Sequence, residues 1–231
     1  MATATGETTG TNFEPAYFER QLAKSDAKLR WQYDRMLRFA GARLPVGARV
    51  LDVGCGAAPG LRYLDARGQI AVGCDVSAAA LAAARKALPD ARLVRCDLEA
   101  PLPFAAGAFH LALLSEVVEH VVTLPVLLAE VRRVLRPGGA IVLTTPNLWD
   151  VRRLVGALGG PTWTGHLDPT HVNLQDRRTL RRHLRAAGFR AVRVQAGWKP
   201  LARIGGRRLP RQLELPYPPF IGNGLMACGQ A

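Results

Sequence analysis

The sequence predicts an α/β fold in which a mostly parallel sheet is covered by helices on both faces. Three observations carry that prediction. Short apolar runs alternate with helical stretches of ten or so residues, which implies parallel βαβ units. A glycine-rich turn follows the first apolar run. The chain of 231 residues, 48% apolar and 21% charged with mean hydropathy +0.04, has the size and composition of one globular domain able to bury a full core without disulfides or structural metals.

The elements follow in order. Phe18, Leu22, Leu29, Tyr33 and Leu37 recur at helical spacing, so an amphipathic helix precedes the core and ends near Gly41 and Pro45. Residues 48–54 then read as a strand, 61–68 as a helix, 70–76 as a strand, 79–88 as a helix and 91–98 as a strand. Residues 109–115 form a fourth strand, 126–135 a helix and 140–145 a fifth strand. From Asn147 to Asn173 the pattern is irregular; a helix from about Arg177 to Ala187 stops at Gly188, residues 189–197 supply a sixth strand, a Pro-rich loop follows, and 222–230 supply the last strand.

Composition narrows the function classes. No stretch approaches the length of a membrane span, and residues 1–12 are small and polar without the basic start and apolar run of a secretory signal, so they read as a disordered tail. Cys55, Cys74, Cys96 and Cys228 are far apart with no C-x-x-C pair, which fits a reduced, cytoplasmic protein. The net charge of +13 is uneven: Arg177 to Arg211 holds twelve Lys or Arg and no acid. That segment suits a nucleic acid, an anionic lipid surface or a phosphorylated or carboxylated substrate; it equally suits a solvated face in an Arg-rich chain.

The most informative stretch is VLDVGCGAAPG, Val50 to Gly60, which places Asp52 near a strand end and Gly54, Gly56 and Gly60 in the turn to a helix. Glycine lets the backbone turn sharply and lets a ligand approach the peptide plane. The next two strands end at Asp75 and Asp97, each about one βα unit further on, so three strand ends converge on one crevice. Asp75 can accept from two ribose hydroxyls, and Asp97 with the Leu98 backbone can reach an adenine amino group.

This series resembles the class I S-adenosylmethionine-dependent methyltransferases, and SEVVEHV after the fourth strand and EVRRVLRPGGAIVLTTPN across the following helix and strand agree with it. The resemblance is strong from Ala48 to Asn147. It implies a Rossmann-like seven-stranded sheet with the last strand antiparallel, and a cofactor site made by Asp52, Gly54, Gly56, Asp75, Asp97, Leu98 and Ser115. It divides 13–231 into a helical lid (13–44), a cofactor-binding core (45–147) and a substrate-side half (148–231). A dehydrogenase is the competing reading, but a dinucleotide site prefers G-x-G-x-x-G and has no use for LRPGG before the fifth strand.

Methyl transfer is an in-line displacement at carbon, so the protein aligns the nucleophile, excludes water and, where needed, removes a proton. Candidates near the fourth strand's end are Ser115, Glu116, Glu119, His120, His166 and His171. Glu116, Glu119 and His120 form E-x-x-E-H, which places Glu116 and either Glu119 or His120 on adjacent turns of one short helix. The pattern is similar to that of the polyprenyl-dihydroxybenzoate O-methyltransferases of ubiquinone synthesis, and to the small-RNA 2′-O-methyltransferases. Those resemblances imply Mg²⁺ or Mn²⁺ held by Glu116, Glu119 and His120; in metal-free relatives that carry E-H at this place, Glu119 or His120 caps backbone or orients a substrate. His120 and His171 are the candidate bases, expected to meet across the crevice because one follows the fourth strand and the other the fifth.

The sequence departs from the ubiquinone group after His171. Trp149 to Thr164 and residues 198–220 are the remaining covers. Their tryptophans, Tyr217 and Phe220 offer apolar walls, while Arg203, Arg207, Arg208 and Arg211 offer places for an anionic group. The expectation is methyl transfer from S-adenosylmethionine to oxygen, with nitrogen next, on a small-molecule, natural-product, quinone-like or lipid-linked acceptor. An RNA 2′-O-methyltransferase is favoured by charge and disfavoured by the lack of an added RNA-binding domain; a non-catalytic cofactor-binding protein is the third class.

Overall fold

The computed structural model describes residues 26–150, 168–197, 203–204, 207–208, 222 and 224–231. Its elements are α1 (Asp26–Ala40), β1 (Arg49–Val53), α2 (Pro59–Asp65), β2 (Ile70–Asp75), α3 (Ala78–Ala87), β3 (Arg92–Arg95), β4 (Phe109–Ser115), a 3-10 turn (Val118–His120), α4 (Leu124–Val134), β5 (Leu135–Pro146), α5 (Arg177–Ala186), β6 (Arg190–Ala196) and β7 (Gly224–Gln230).

Seven strands form one sheet in the order β3-β2-β1-β4-β5-β7-β6. β1 to β5 pair in parallel, and β7 runs antiparallel to both its neighbours. The expected seven-stranded sheet with an antiparallel last strand is therefore observed. From β1 the chain winds outward through β2 and β3, then returns to lay β4 and β5 on the other side. That reversal opens a crevice above the carboxyl ends of β1 and β4.

Strand residues alternate between two apolar clusters, as the period of two requires. Leu51, Leu114 and Leu143 pack on one face with α4 and α5, while Val50, Leu113 and Val142 pack on the other with α1, α2 and α3. The helices bury matching stripes: Leu124, Leu127, Leu128, Val131 and Val134 on α4, and Leu180 and Leu184 on α5. Asp176 caps α5 by accepting from Arg178 N and Thr179 N, and Thr179 Oγ1 accepts in return from Asp176 N.

Two connections fix α4. Glu99 accepts from Val122 N at 2.6 Å and Thr123 N at 2.9 Å, and also from the Thr123 hydroxyl. Arg133 donates to the Leu102 and Phe104 carbonyls while paired with Glu130 at 2.8 Å.

The structure differs from expectation in three places. β5 begins at Leu135, so the LRPGG segment belongs to the strand, and a register irregularity between Phe109 and Leu111 absorbs its turn. Arg203–Ile204 and Arg207–Arg208 form a small ladder within the expected Pro-rich loop. Glu116 lies on no helix: its φ is 60° and its N–H bonds Thr144 O, so it ends the β4 ladder ahead of the 3-10 turn. The tail at 1–12, Phe18, Leu22, His166, Tyr217, Phe220 and most of both late covers lie outside the described residues. No helix among the described residues is long and apolar enough to cross a membrane.

Candidate functional site

The strand ends of β1, β2 and β4 build the first half of the site. Gly54 takes a φ of +66°, and a Cβ there would come within 2.7 Å of Val117, so the loop after β1 needs glycine both for its turn and to lie against the loop after β4. A Cβ at Gly60 would sit on the Asp52 carboxylate and within 2.9 Å of Tyr33 Oη; the first turn of α2 packs that closely over β1. Asp75 holds the same loop in place, accepting from Gly56 N at 2.8 Å with one oxygen and from Ser77 N at 2.9 Å with the other. Asp97 accepts from Glu99 N at 2.9 Å, and Leu98 packs its side chain on the apolar cluster beneath.

Asp52 is only 2% exposed, and burial, reinforced by the charge of Asp75, raises its carboxyl to about 7. The Tyr33 hydroxyl is pushed up by burial and then by Asp52. α1 thus reaches the crevice directly: Tyr33 stacks on Tyr63 with centroids 5.2 Å apart, and Gln32 Nε2 donates to Ser115 Oγ at 2.9 Å.

The second half of the site joins the loops after β4 and β5. Glu119, 1% exposed, accepts from Thr145 Oγ1 at 2.9 Å. The His120 and His171 rings lie 5.0 Å apart, tilted by 59°. Ligand atoms of Glu119, His120 and His171 all lie within 4.8 Å of one another. Glu116 is not part of that group: its left-handed backbone leaves it ahead of the 3-10 turn, off the short helix on which E-x-x-E-H was expected to align. His120 Nδ1 meets Thr170 O at 3.1 Å, and burial holds the imidazole below its ordinary value, with His171 adding and Thr170, Asp168 and Glu116 opposing. His171 Nε2 is 3.8 Å from Asp168, and its buried Nδ1 has no hydrogen-bond partner among the described residues.

Hydrogen bonds to backbone carbonyls fix this pairing across fifty residues of chain. Asn173 N donates to Glu119 O at 3.0 Å, and Asn173 Nδ2 to Val121 O at 2.9 Å. Leu148 N donates to Gln175 O at 2.9 Å, tying the segment to the end of β5. Gln32, Thr145, Asp168, Thr170 and Asn173 were not singled out from the sequence. The D-P-T-H turn was a local signal available for two of them, because Asp followed by Pro initiates a turn that aims what comes next.

Two surface hollows, of about 410 and 640 Å³, lie beside Gln69 and Arg190, at the amino ends of β2 and β6. Ligands of open parallel sheets bind at the opposite, carboxyl ends, where the residues above converge.

A family model described as a methyltransferase domain matches residues 24–194. The chain belongs to the class I S-adenosylmethionine-dependent methyltransferase family. This family member is similar to a demethylmenaquinone methyltransferase of Parafrankia sp., with 35% identity over 146 residues, 54% of this chain and 58% of the relative. It is similar also to a trans-aconitate 2-methyltransferase of Azoarcus sp., with 34% identity covering 59% of each chain. The chain thus spans little more than half the length of these curated relatives. A solved methyltransferase from Archaeoglobus fulgidus shares the fold, with TM-score 0.66 and 19% identity over 94% of this chain and 99% of that one. A Mesorhizobium loti S-adenosylmethionine-dependent methyltransferase superposes with TM-score 0.64 and 27% identity over 89% and 99%.

Proposed function

We propose that this methyltransferase moves the methyl group of S-adenosylmethionine to an oxygen of a small, quinone-like or carboxylate-bearing acceptor, with His120 or its neighbour His171 as the base. The observation that carries the reading is the pair of imidazoles 5.0 Å apart beside buried Glu119, where the loops after β4 and β5 meet. Gly54, Gly56 and Asp52 shape the cofactor loop, Asp75 takes the ribose hydroxyls with lone pairs its loop bonds leave open, Asp97 and Leu98 take the adenine, and Ser115 lies towards the methionine end. The acceptor oxygen attacks the methyl carbon, the C–S bond breaks with its electrons on sulfur, and S-adenosylhomocysteine leaves; from a hydroxyl acceptor a histidine takes the proton, whereas a carboxylate attacks already deprotonated. The acceptor class draws on relatives named for demethylmenaquinone, trans-aconitate and malonyl-[acyl-carrier protein], and on the basic stretch from Arg177. In this reading residues 13–44 act as the lid and 148–231 as the substrate side.

A divalent cation is the second reading, favoured by the three clustered ligands and by the buried His171 Nδ1, which has no hydrogen-bond partner among the described residues. Glu119, His120 and His171 would hold it, and it would lower the pKa of an acceptor hydroxyl. A carboxylate with two imidazoles suits Mn²⁺ better than Mg²⁺, which prefers oxygen ligands.

One assay separates the readings. Turnover to S-adenosylhomocysteine is followed by mass spectrometry on a panel of catechols, hydroquinones and carboxylic acids, with and without chelator. With a histidine base, turnover of the catechols and hydroquinones survives the chelator and falls about 10²-fold or more in His120→Gln/His171→Gln; with a cation, the chelator abolishes it. Undiminished turnover in the double variant sinks both.

A further inference from the structure

We infer that Asp168 and Thr170 form a positioning relay that fixes the His120 proton on Nδ1 and leaves Nε2 as the nitrogen turned to the reaction; the inference rests on the role proposed for His120. A carbonyl oxygen only accepts, so the 3.1 Å contact between Thr170 O and His120 Nδ1 is a hydrogen bond only when that nitrogen carries a proton. The Thr170 hydroxyl lies 3.0 Å from the same nitrogen. It could donate there and reverse the tautomer, but its own proton is committed to Asp168 Oδ1, 2.5 Å away. The hydroxyl therefore offers Nδ1 a lone pair, and both Thr170 oxygens point to one tautomer.

The turn that presents these groups is written in D-P-T-H. Asp168 also accepts from Thr170 N at 2.9 Å, and His171 N closes the turn on Asp168 O at 3.2 Å. Asn173 anchors the turn to the segment that carries His120. Neither Asp168 nor Thr170 has to touch an acceptor to matter. With Nδ1 occupied, Nε2 alone retains a lone pair, and a positive charge arriving there faces the Asp168 carboxylate through one hydroxyl. A carbonyl on the far nitrogen orients an imidazole in the same way when Nε2 binds a cation, so the relay is common to both forms of the proposed site.

The test reads the tautomer directly. Full-length protein labelled with ¹⁵N-histidine, saturated with S-adenosylhomocysteine and kept in chelator, gives long-range ¹H–¹⁵N imidazole spectra; the His120 signals are those lost in His120→Gln. The expected wild-type pattern is a protonated Nδ1 and an unprotonated Nε2. Thr170→Val should move the His120 population towards Nε2–H, Thr170→Ser should restore it, and Asp168→Ala should act like the valine, all with unchanged S-adenosylhomocysteine affinity as the check on folding. A wild-type His120 protonated at Nε2 overturns the relay, as does a pattern that neither Thr170→Val nor Asp168→Ala alters. A wild-type tautomer as expected, with full turnover in His120→Gln, instead overturns the role proposed for His120 and leaves the relay standing.

Discussion

Burial holds the Asp52 carboxyl near 7 in the folded chain, against about 3.8 when it is free in solution. A carboxyl whose pKa is raised by folding contributes stability that is complete below the unfolded value and lost as pH rises through the folded one. The wild type should therefore weaken between about pH 4 and pH 7. Asp52→Asn has no such loss, so it should be more stable than wild type at pH 8 by up to about 4 kcal/mol, three units at roughly 1.4 kcal/mol each, and no more stable at pH 4. Urea unfolding at the two pH values measures this; a gap of equal size at both would remove the titration of Asp52 as its cause. The cost falls at the end of β1, directly under the proposed cofactor loop, where stability is commonly given up for function. At this scale the glycines and acids of the first motif were legible because each answers a local demand, a turn or a strand end. Thr170 and Asp168 were not, because their importance lies in which nitrogen of a histidine fifty positions away they face.

The elements show the same division between local and distant causes. Helices and strands with clear apolar periodicity fall where the sequence puts them, and β4 spans Phe109–Ser115 as expected. The short helix expected to align E-x-x-E-H failed because the ladder contact from Glu116 N to Thr144 O, a tertiary bond, holds Glu116 in a left-handed conformation that no helix allows. The expected meeting of the two histidines followed from topology, since loops leaving adjacent parallel strands share a pocket. The segment from Asp168 to Asp176 is held there by few bonds, and Asn173 makes one to the 3-10 turn and one to Val121 just after it. Asn173→Ala keeps its backbone bond but loses both side-chain bonds, the one donated to Val121 O and the one accepted from Gln175 Nε2, costing about 1–3 kcal/mol. Amide exchange should quicken in residues 118–121 and 168–176 and stay unchanged in β1 and β2. Faster exchange throughout the sheet would mean that this segment is not a separate unit of local stability.

For the whole molecule, the sheet joins both halves of the site to a single core. Its two apolar clusters lie on opposite faces of the same strands, and α1 carries Leu29, Tyr33, Met36 and Leu37 into one of them while Gln32 reaches Ser115. A ligand gripping the ends of β1, β2 and β3 therefore holds the folded chain as a unit, and cofactor binding should appear as global stability. S-adenosylhomocysteine at 100 times its dissociation constant should stabilise the protein by about 2.7 kcal/mol, which for a chain of this size raises Tm by roughly 5–11 °C. The proposed ribose contact makes a sharper claim. Removing a charge-assisted acceptor costs about 1.5–3 kcal/mol of binding, so for Asp75→Ala the gain at the same ligand concentration should shrink to roughly 1 kcal/mol or less. Asp75 also accepts from Gly56 N and Ser77 N, so the variant's unliganded Tm should fall as well. The two effects separate in a titration: a lost loop contact lowers every Tm equally, whereas a lost ribose contact moves the ligand concentration at which Tm begins to rise. An Asp75→Ala curve parallel to wild type at all concentrations would show that the carboxylate only braces the loop and that the ribose is held elsewhere.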